Sequence, residues 1–232
     1  MKQNRILRFA AVLCLAACLL ASCGRKTGTV LTYRDGAFRS GNGKSAFLEA
    51  PPTYYALSAL TDQPVATITG TGVSDIPLYE IENIPVSKYL ADISLMLYYA
   101  ESVSLPTLTE LGATKIALYR YSETRVSRQL MSTLTNRGQV ADLVRRAAED
   151  TKIPAGEISA EYEVRLELLF VSEDNAAFGI MLEYRKFPAD VNGHGTNFIY
   201  DRVSATYTPV GDVLENYSWT EPKPETECPR KE

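Results

Sequence analysis

Apolar and charged residues alternate most regularly between positions 161 and 170, where Tyr162, Val164, Leu166, Leu168 and Phe170 interleave with Glu161, Glu163, Arg165 and Glu167. A period of two is the repeat of a β-strand, so the stretch predicts a strand with one face buried and the other wet. Glu173-Asp174-Asn175 supplies a turn, after which Phe178, Ile180, Leu182 and Tyr184 continue the alternation and predict the second arm of a long hairpin. The loop 188–195 leads to a third strand over 197–203. Ahead of these strands the repeat becomes helical: Val140, Leu143, Val144 and Ala147 fall at i, i+3, i+4 and i+7 and share one face of a helix over 136–150. Asn136 can cap it, with Gln139 as the reciprocal partner, and Pro154 and Gly156 close it.

The first half of the chain shows short strand patterns about every ten residues, with turn residues between them. They fall at 29–33, at a hairpin around Gly41-Asn42-Gly43, at 54–60 and 65–69, which Asp62-Gln63-Pro64 separates, and at 76–81. Residues 89–100 are nearly continuously apolar and are assigned as a strand pair, and 115–121 as a further strand. The predicted class is α+β, antiparallel and β-rich. An N-terminal β unit spans 29–104, and a unit spanning 105–219 has its helix packed on an antiparallel three- to four-strand meander. The tail 220–232 carries no apolar periodicity and is expected to be disordered.

One apolar run fits neither repeat. Residues 9–20 are uncharged and follow Lys2, Arg5 and Arg8. The run is shorter than the ~20 residues of a stable spanning helix, so a cleaved export signal over 1–22 is expected instead. Leu20-Ala21-Ser22-Cys23 fits a lipobox, with a tether at 23–28 in which Gly24, Arg25 and Lys26 begin a solvated segment. Leu15-Ala16-Ala17-Cys18 fits the same pattern, but Cys18 is followed by the apolar Leu19 and Leu20. Cys23 is therefore the expected lipidation residue and Cys18 the alternative. On these residues the chain resembles the bacterial lipoproteins. Its body, with Phe47-x-x-Ala50-Pro51 leading to Tyr54 and Phe198-Ile199-Tyr200-Asp201-Arg202 near the end, is loosely similar to uncharacterised Gram-positive cell-surface lipoproteins. The resemblance implies palmitate or a related acyl anchor and a place on the extracytoplasmic face of the cell membrane, and it implies no catalytic residue.

Removing residues 1–22 takes away three basic residues and no acidic ones, so the mature chain holds 21 Lys and Arg against 28 Asp and Glu, a net charge of −7. Such a chain without a basic cluster is unsuited to nucleic acid. Cys14 and Cys18 leave with the signal and Cys23 takes lipid, which leaves Cys228 without an intramolecular partner, so the fold must be held by its core.

Several motifs point weakly to chemistry. Gly43-Lys44-Ser45 resembles the end of a phosphate loop, but Phe38 stands where the first glycine is needed, and a hairpin turn accounts for it. Asp190, Asn192, His194, Gly195 and Asp201 sit at calcium-loop offsets, though Asp201 is shorter than the usual final glutamate. His194 is the single histidine and lies between two glycines, a setting that predicts exposure rather than a catalytic imidazole. Glu161, Glu163 and Glu167 mark the wet face of a strand rather than an acid/base pair. In Tyr54-Tyr55 and Tyr98-Tyr99 neighbours point to opposite faces, so one ring of each packs in the core and the other serves a surface. No residue is assigned to catalysis, to a cofactor or to a metal. The expected role is non-catalytic binding or scaffolding at the cell envelope, with an envelope protein or polymer as partner. The rivals are an envelope-polymer hydrolase and a small-ligand receptor.

Overall fold

The structure is a computed structural model that describes residues 28–70, 75–120 and 129–214. The signal, Cys18, Cys23, Trp219, Cys228 and the tail 220–232 lie outside the described residues.

The first half closes into a barrel. In chain order its strands are β1 (Thr29–Arg34), β2 (Ala37–Ser40) and β3 (Ala46–Glu49), then, after β4 (Tyr54–Ala56), β5 (Leu60–Thr69), β6 (Ile76–Ile81), β7 (Tyr89–Ala91) and β8 (Leu97–Ala100). Seven of them pair in the order β1-β2-β3-β8-β7-β6-β5. The closing pair is parallel, Leu31 opposite Ile68, while β1 meets β2 antiparallel with Leu31 opposite Ser40. Gly28 makes that closure fit, because a Cβ there would lie 3.0 Å from the Val65 carbonyl carbon and oxygen. Alternate residues point inward, so Leu31, Phe38, Phe47, Ile68, Leu78, Leu90 and Tyr98 fill the lumen. The 54–60 and 65–69 strands expected from the sequence are instead the short β4 and a ten-residue β5 that runs through Asp62-Gln63-Pro64, with irregular register on either side of Pro64. A proline has no amide to give a ladder, and a bulge accommodates it without ending the strand.

The second half is built from β9 (Lys115–Arg120), β10 (Leu130–Leu134), α1 (Arg137–Ala147), β11 (Ile153–Pro154), β12 (Val164–Val171), β13 (Phe178–Lys186), β14 (Asn197–Asp201) and β15 (Thr206–Pro209). Here an eight-stranded sheet forms in the order β10-β9-β12-β13-β14-β15-β11, with β4 from the first half paired to β13. β13 carries two partners on one side, β4 beside 178–180 and β14 beside 183–186. The barrel segment thus contributes a strand to the sheet, and Ala50, Ile81, Ala91 and Leu97 join Leu166, Phe170, Phe178 and Ile180 in one core. Asn136 caps α1, its Oδ1 accepting the Gln139 amide at 3.2 Å. Val140, Leu143 and Ala147 are buried in the same core.

The fold class expected from the sequence is therefore overturned. In place of a helix packed on a three- to four-strand meander, the chain forms a seven-strand closed barrel and an eight-strand sheet, and among the described residues α1 is the one α-helix. The physical reason is that period-two patterning tells which residues share a face but not which strands pair across long separations. The β1–β5 closure and the β4–β13 pairing are both such non-local contacts.

The face expected to be wet is exposed at Glu161 and Glu163 but covered from Glu167 onward. Leu169, Val171 and Met181 on it are buried with Tyr55, and Glu167 and Glu183 are buried as well. Gly179 lies on this face, where a Cβ would fall 2.7 Å from the Phe170 carbonyl oxygen and 2.9 Å from Leu169 Cδ1. Backbone oxygen cannot yield as a side chain can, so Gly179→Ala is expected to lower stability by about 1–3 kcal/mol, measured as a fall in the urea midpoint at unchanged slope.

Candidate functional site

The barrel is filled in its deeper layers and open at one end. Along β5 the inward residue Ile68 is followed toward that end by Ala66, and along β8 Tyr98 is followed by Ala100. These small side chains leave a cavity of ≈ 540 Å³, within the range of pockets that hold small ligands, and barrel mouths are a common place for them. Its floor is Leu31, Phe47, Ala66, Leu90 and Ala100, and its rim carries Arg39, Lys44, Ser45, Ser87, Glu101 and Ser102. Arg39 spans to Glu101 in a two-pronged pair, Nη2 to Oε1 at 2.8 Å and Nη1 to Oε2 at 3.1 Å. Hydrogen bonding to Glu101 and its charge raise the Arg39 pKa above its ordinary value. The Gly43-Lys44-Ser45 segment forms the β2–β3 turn at this rim, braced by the Asn42 side chain accepting the Lys44 amide at 3.0 Å. It is a hairpin turn and not a phosphate loop, yet it does place a lysine at the mouth.

A second constellation lies on the sheet face beyond α1. Strand register lines up Tyr119, Glu167, Glu183, Tyr200 and Tyr207 in one row across β9, β12, β13, β14 and β15. Two carboxylates directly opposite each other repel, and arginines resolve the conflict. Arg165 donates to both Glu183 oxygens at 2.8 and 3.1 Å, Arg185 donates from Nη2 at 2.8 Å, and Arg202 bonds both Glu183 and Glu167. The Arg185 guanidinium stacks 3.8 Å from the Tyr200 ring centroid, with Tyr162 and Tyr207 also within cation–π reach. Burial alone would push the Glu183 carboxyl up, but the hydrogen bonds from Arg165, Arg202 and Arg185 outweigh it and hold its pKa below the ordinary carboxylate value. A carboxylate held ionised beneath three guanidiniums is an acceptor, the reverse of the raised pKa that a general acid requires.

The remaining candidate residues are placed separately. Glu161 and Glu163 are exposed while Glu167 is fully buried, so the three do not converge. His194 is exposed in the β13–β14 loop. Asp190 spends its two oxygens on the Gly193 and Gly195 amides at 2.6 and 2.7 Å, and Asp201 spends its own on the Val203 amide and the Ser204 hydroxyl at 2.9 and 2.8 Å. Among the described residues no three His, Cys, Asp or Glu side chains gather as a metal site. Both tyrosine pairs divide across their strands: Tyr54 packs on Phe178 with its hydroxyl donating to the Pro106 carbonyl at 2.7 Å, Tyr55 is buried on the opposite face, and Tyr98 points into the barrel. The sequence reading missed Glu183, Arg185 and Arg202 as a unit. An available signal was a charged residue on both arms of the hairpin at matching register, with arginines beside them.

Burial raises the pKa of Tyr54, Tyr89 and Tyr98, the last with further contributions from the Glu49 and Asp92 charges. A folded pKa above the unfolded value stabilises the fold fully below about pH 10 and is lost as pH climbs through the folded value. Stability is therefore expected to fall above about pH 10, with phenolate absorbance showing a fraction of tyrosines that ionise only as the chain unfolds.

No family model, curated protein or solved structure matches this chain.

Proposed function

We propose that the chain is a lipid-anchored exported lipoprotein with a non-catalytic binding role at the extracytoplasmic face of the cell membrane, and that the barrel mouth is its binding site. The observation that carries this reading is the position of the cavity. Thr29 lines the mouth, and the six residues that follow Cys23, ending at Thr29, reach at most about 22 Å when extended. An acyl group on Cys23 would keep the mouth close to the bilayer surface, where an envelope partner or ligand meets it. A concave apolar floor with a polar rim is the general form of a binding pocket. The capped, ionised Glu183 supports a structural rather than a hydrolytic use of the buried carboxylates.

The test is membrane retention of the full chain in an exporting bacterial host. Cys23→Ala is expected to move the protein from the detergent-extracted membrane fraction to the soluble or uncleaved precursor pool, while Cys18→Ala leaves it in place. Retention of mature Cys23→Ala protein would overturn the reading, and loss with Cys18→Ala alone would move the anchor to the earlier cysteine.

A further inference from the structure

The mouth of the barrel has a floor, a rim and a location that together favour one kind of occupant. The floor is apolar and shallow, because Ile68, Leu78, Phe38 and Tyr98 plug the lumen below it and Ala66 and Ala100 leave the last layer unfilled. A fully aqueous ligand such as a sugar would gain little there, since the one aromatic ring on the lining, Phe47, is buried. The rim is polar and positive. Glu101 neutralises Arg39, so among the described rim residues Lys44 carries the uncompensated charge, beside the Ser45, Ser87 and Ser102 hydroxyls. Val86 adds an exposed apolar side chain at the same edge. This cationic edge stands on a chain whose mature charge is strongly negative, and the tether leading to it, Gly24-Arg25-Lys26-Thr27-Gly28, holds two bases and no acid. Basic residues near a bilayer favour anionic lipid.

We infer that the barrel mouth takes an anionic phospholipid from the bilayer to which the chain is tethered. The phosphate-bearing headgroup meets Lys44 and the hydroxyls of Ser45, Ser87 and Ser102, and the glycerol-proximal part of the acyl chains lies against Val65 and Val86, the apolar side chains the mouth leaves accessible. The inference rests on the lipid-anchored reading above, because the tether sets the distance between the mouth and the lipid.

The experiment uses the full, lipid-modified chain in vesicles containing phosphatidylglycerol that carries a diazirine next to the glycerol, with cross-links mapped by peptide mass spectrometry. Label is expected on β5 and on the 84–90 segment. Lys44→Ala should reduce it about fivefold, the effect of one basic residue near a membrane surface, and a phosphatidylcholine probe should label comparably more weakly. Ala100→Trp fills the floor. Because that change could disturb the barrel, Ser87→Trp, on an exposed turn at the rim, serves as the second blocking variant, and both should abolish the label. Label elsewhere on the surface, label indifferent to Ser87→Trp, or equal labelling by both probes overturns the inference. Label that appears only in the Cys23→Ala chain would mean that the anchor's own acyl groups fill the mouth, which also overturns it. The N-terminal peptide is read in the same samples. An acylated Cys23 with an unlabelled mouth defeats this inference alone, whereas an unacylated Cys23 defeats the reading beneath it.

Discussion

Glu183→Ala is expected to lower the unfolding free energy by about 3–5 kcal/mol, the cost of breaking a buried ion pair by removing one partner. Three guanidiniums converge on this carboxylate, and its side chain is 2 % exposed. Taking it away leaves those charges facing Glu167 and one another in a site from which most water is excluded. The arginines retain 12–26 % exposure, so partial rehydration places the expected loss toward the lower end of that range. Removing one arginine leaves two still bound, so Arg165→Met should cost less than Glu183→Ala, and a Glu183/Arg165 double-mutant cycle should show positive coupling. The pH dependence follows from the depressed Glu183 pKa. Its contribution is fully present above the unfolded carboxylate value near pH 4.3 and is lost as pH falls through the lower folded value. Urea midpoints should therefore decline on acidification below about pH 4, and the Glu183→Gln chain should show a shallower decline over the same window. Equal stability of Glu183→Ala and the parent chain would mean that the cluster holds nothing together.

Phe178→Ala is the second large effect, expected to cost about 3–5 kcal/mol as a buried aromatic truncation that leaves a cavity. The ring sits where the halves of the fold meet, 5.7 Å from the Tyr54 ring centroid and 5.4 Å from that of Tyr89, and it is 1 % exposed. Tyr54 belongs to β4, the strand that the barrel segment lends to the sheet, and Tyr89 to the barrel wall itself. A void at this junction weakens barrel and sheet together, so one cooperative transition with coincident far-ultraviolet and tyrosine signals is expected, shifted to lower urea. Two separated transitions in the variant would show that the shared core does not couple the halves.

What could be read from the sequence was local. The helix cap at Asn136 and the apolar stripe of Val140, Leu143 and Ala147 depend on residues within a few turns of one another, and the structure places them accordingly. The alternation of Phe178, Ile180, Leu182 and Tyr184 marks the strand found at 178–186, and the strand expected over 197–203 is present as 197–201. Barrel closure was not visible, because the parallel pairing of β1 with β5 joins residues such as Leu31 and Ile68 across a long stretch of chain. The path of β5 through Pro64 was hidden by a residue that normally ends a strand. In the β12–β13 hairpin a charged residue does not mark water: Glu167 is buried because Arg202 beside it supplies the compensation. The mouth cavity was hidden for a related reason, since Ala66 and Ala100 become significant only once the barrel sets them in one layer. Its rim lysine, Lys44, lies in the hairpin turn that the sequence does show, but nothing in that turn tells that it faces a cavity.

Lipid on the thiol of Cys23 is the proposal on which the membrane-facing position of the barrel mouth rests. The most direct measurement is mass spectrometry of the N-terminal peptide of the mature protein purified from membranes. The account predicts a chain that begins at Cys23 and carries a thioether-linked diacylglycerol. A chain that begins elsewhere, or at Cys23 with an unmodified thiol, would contradict it.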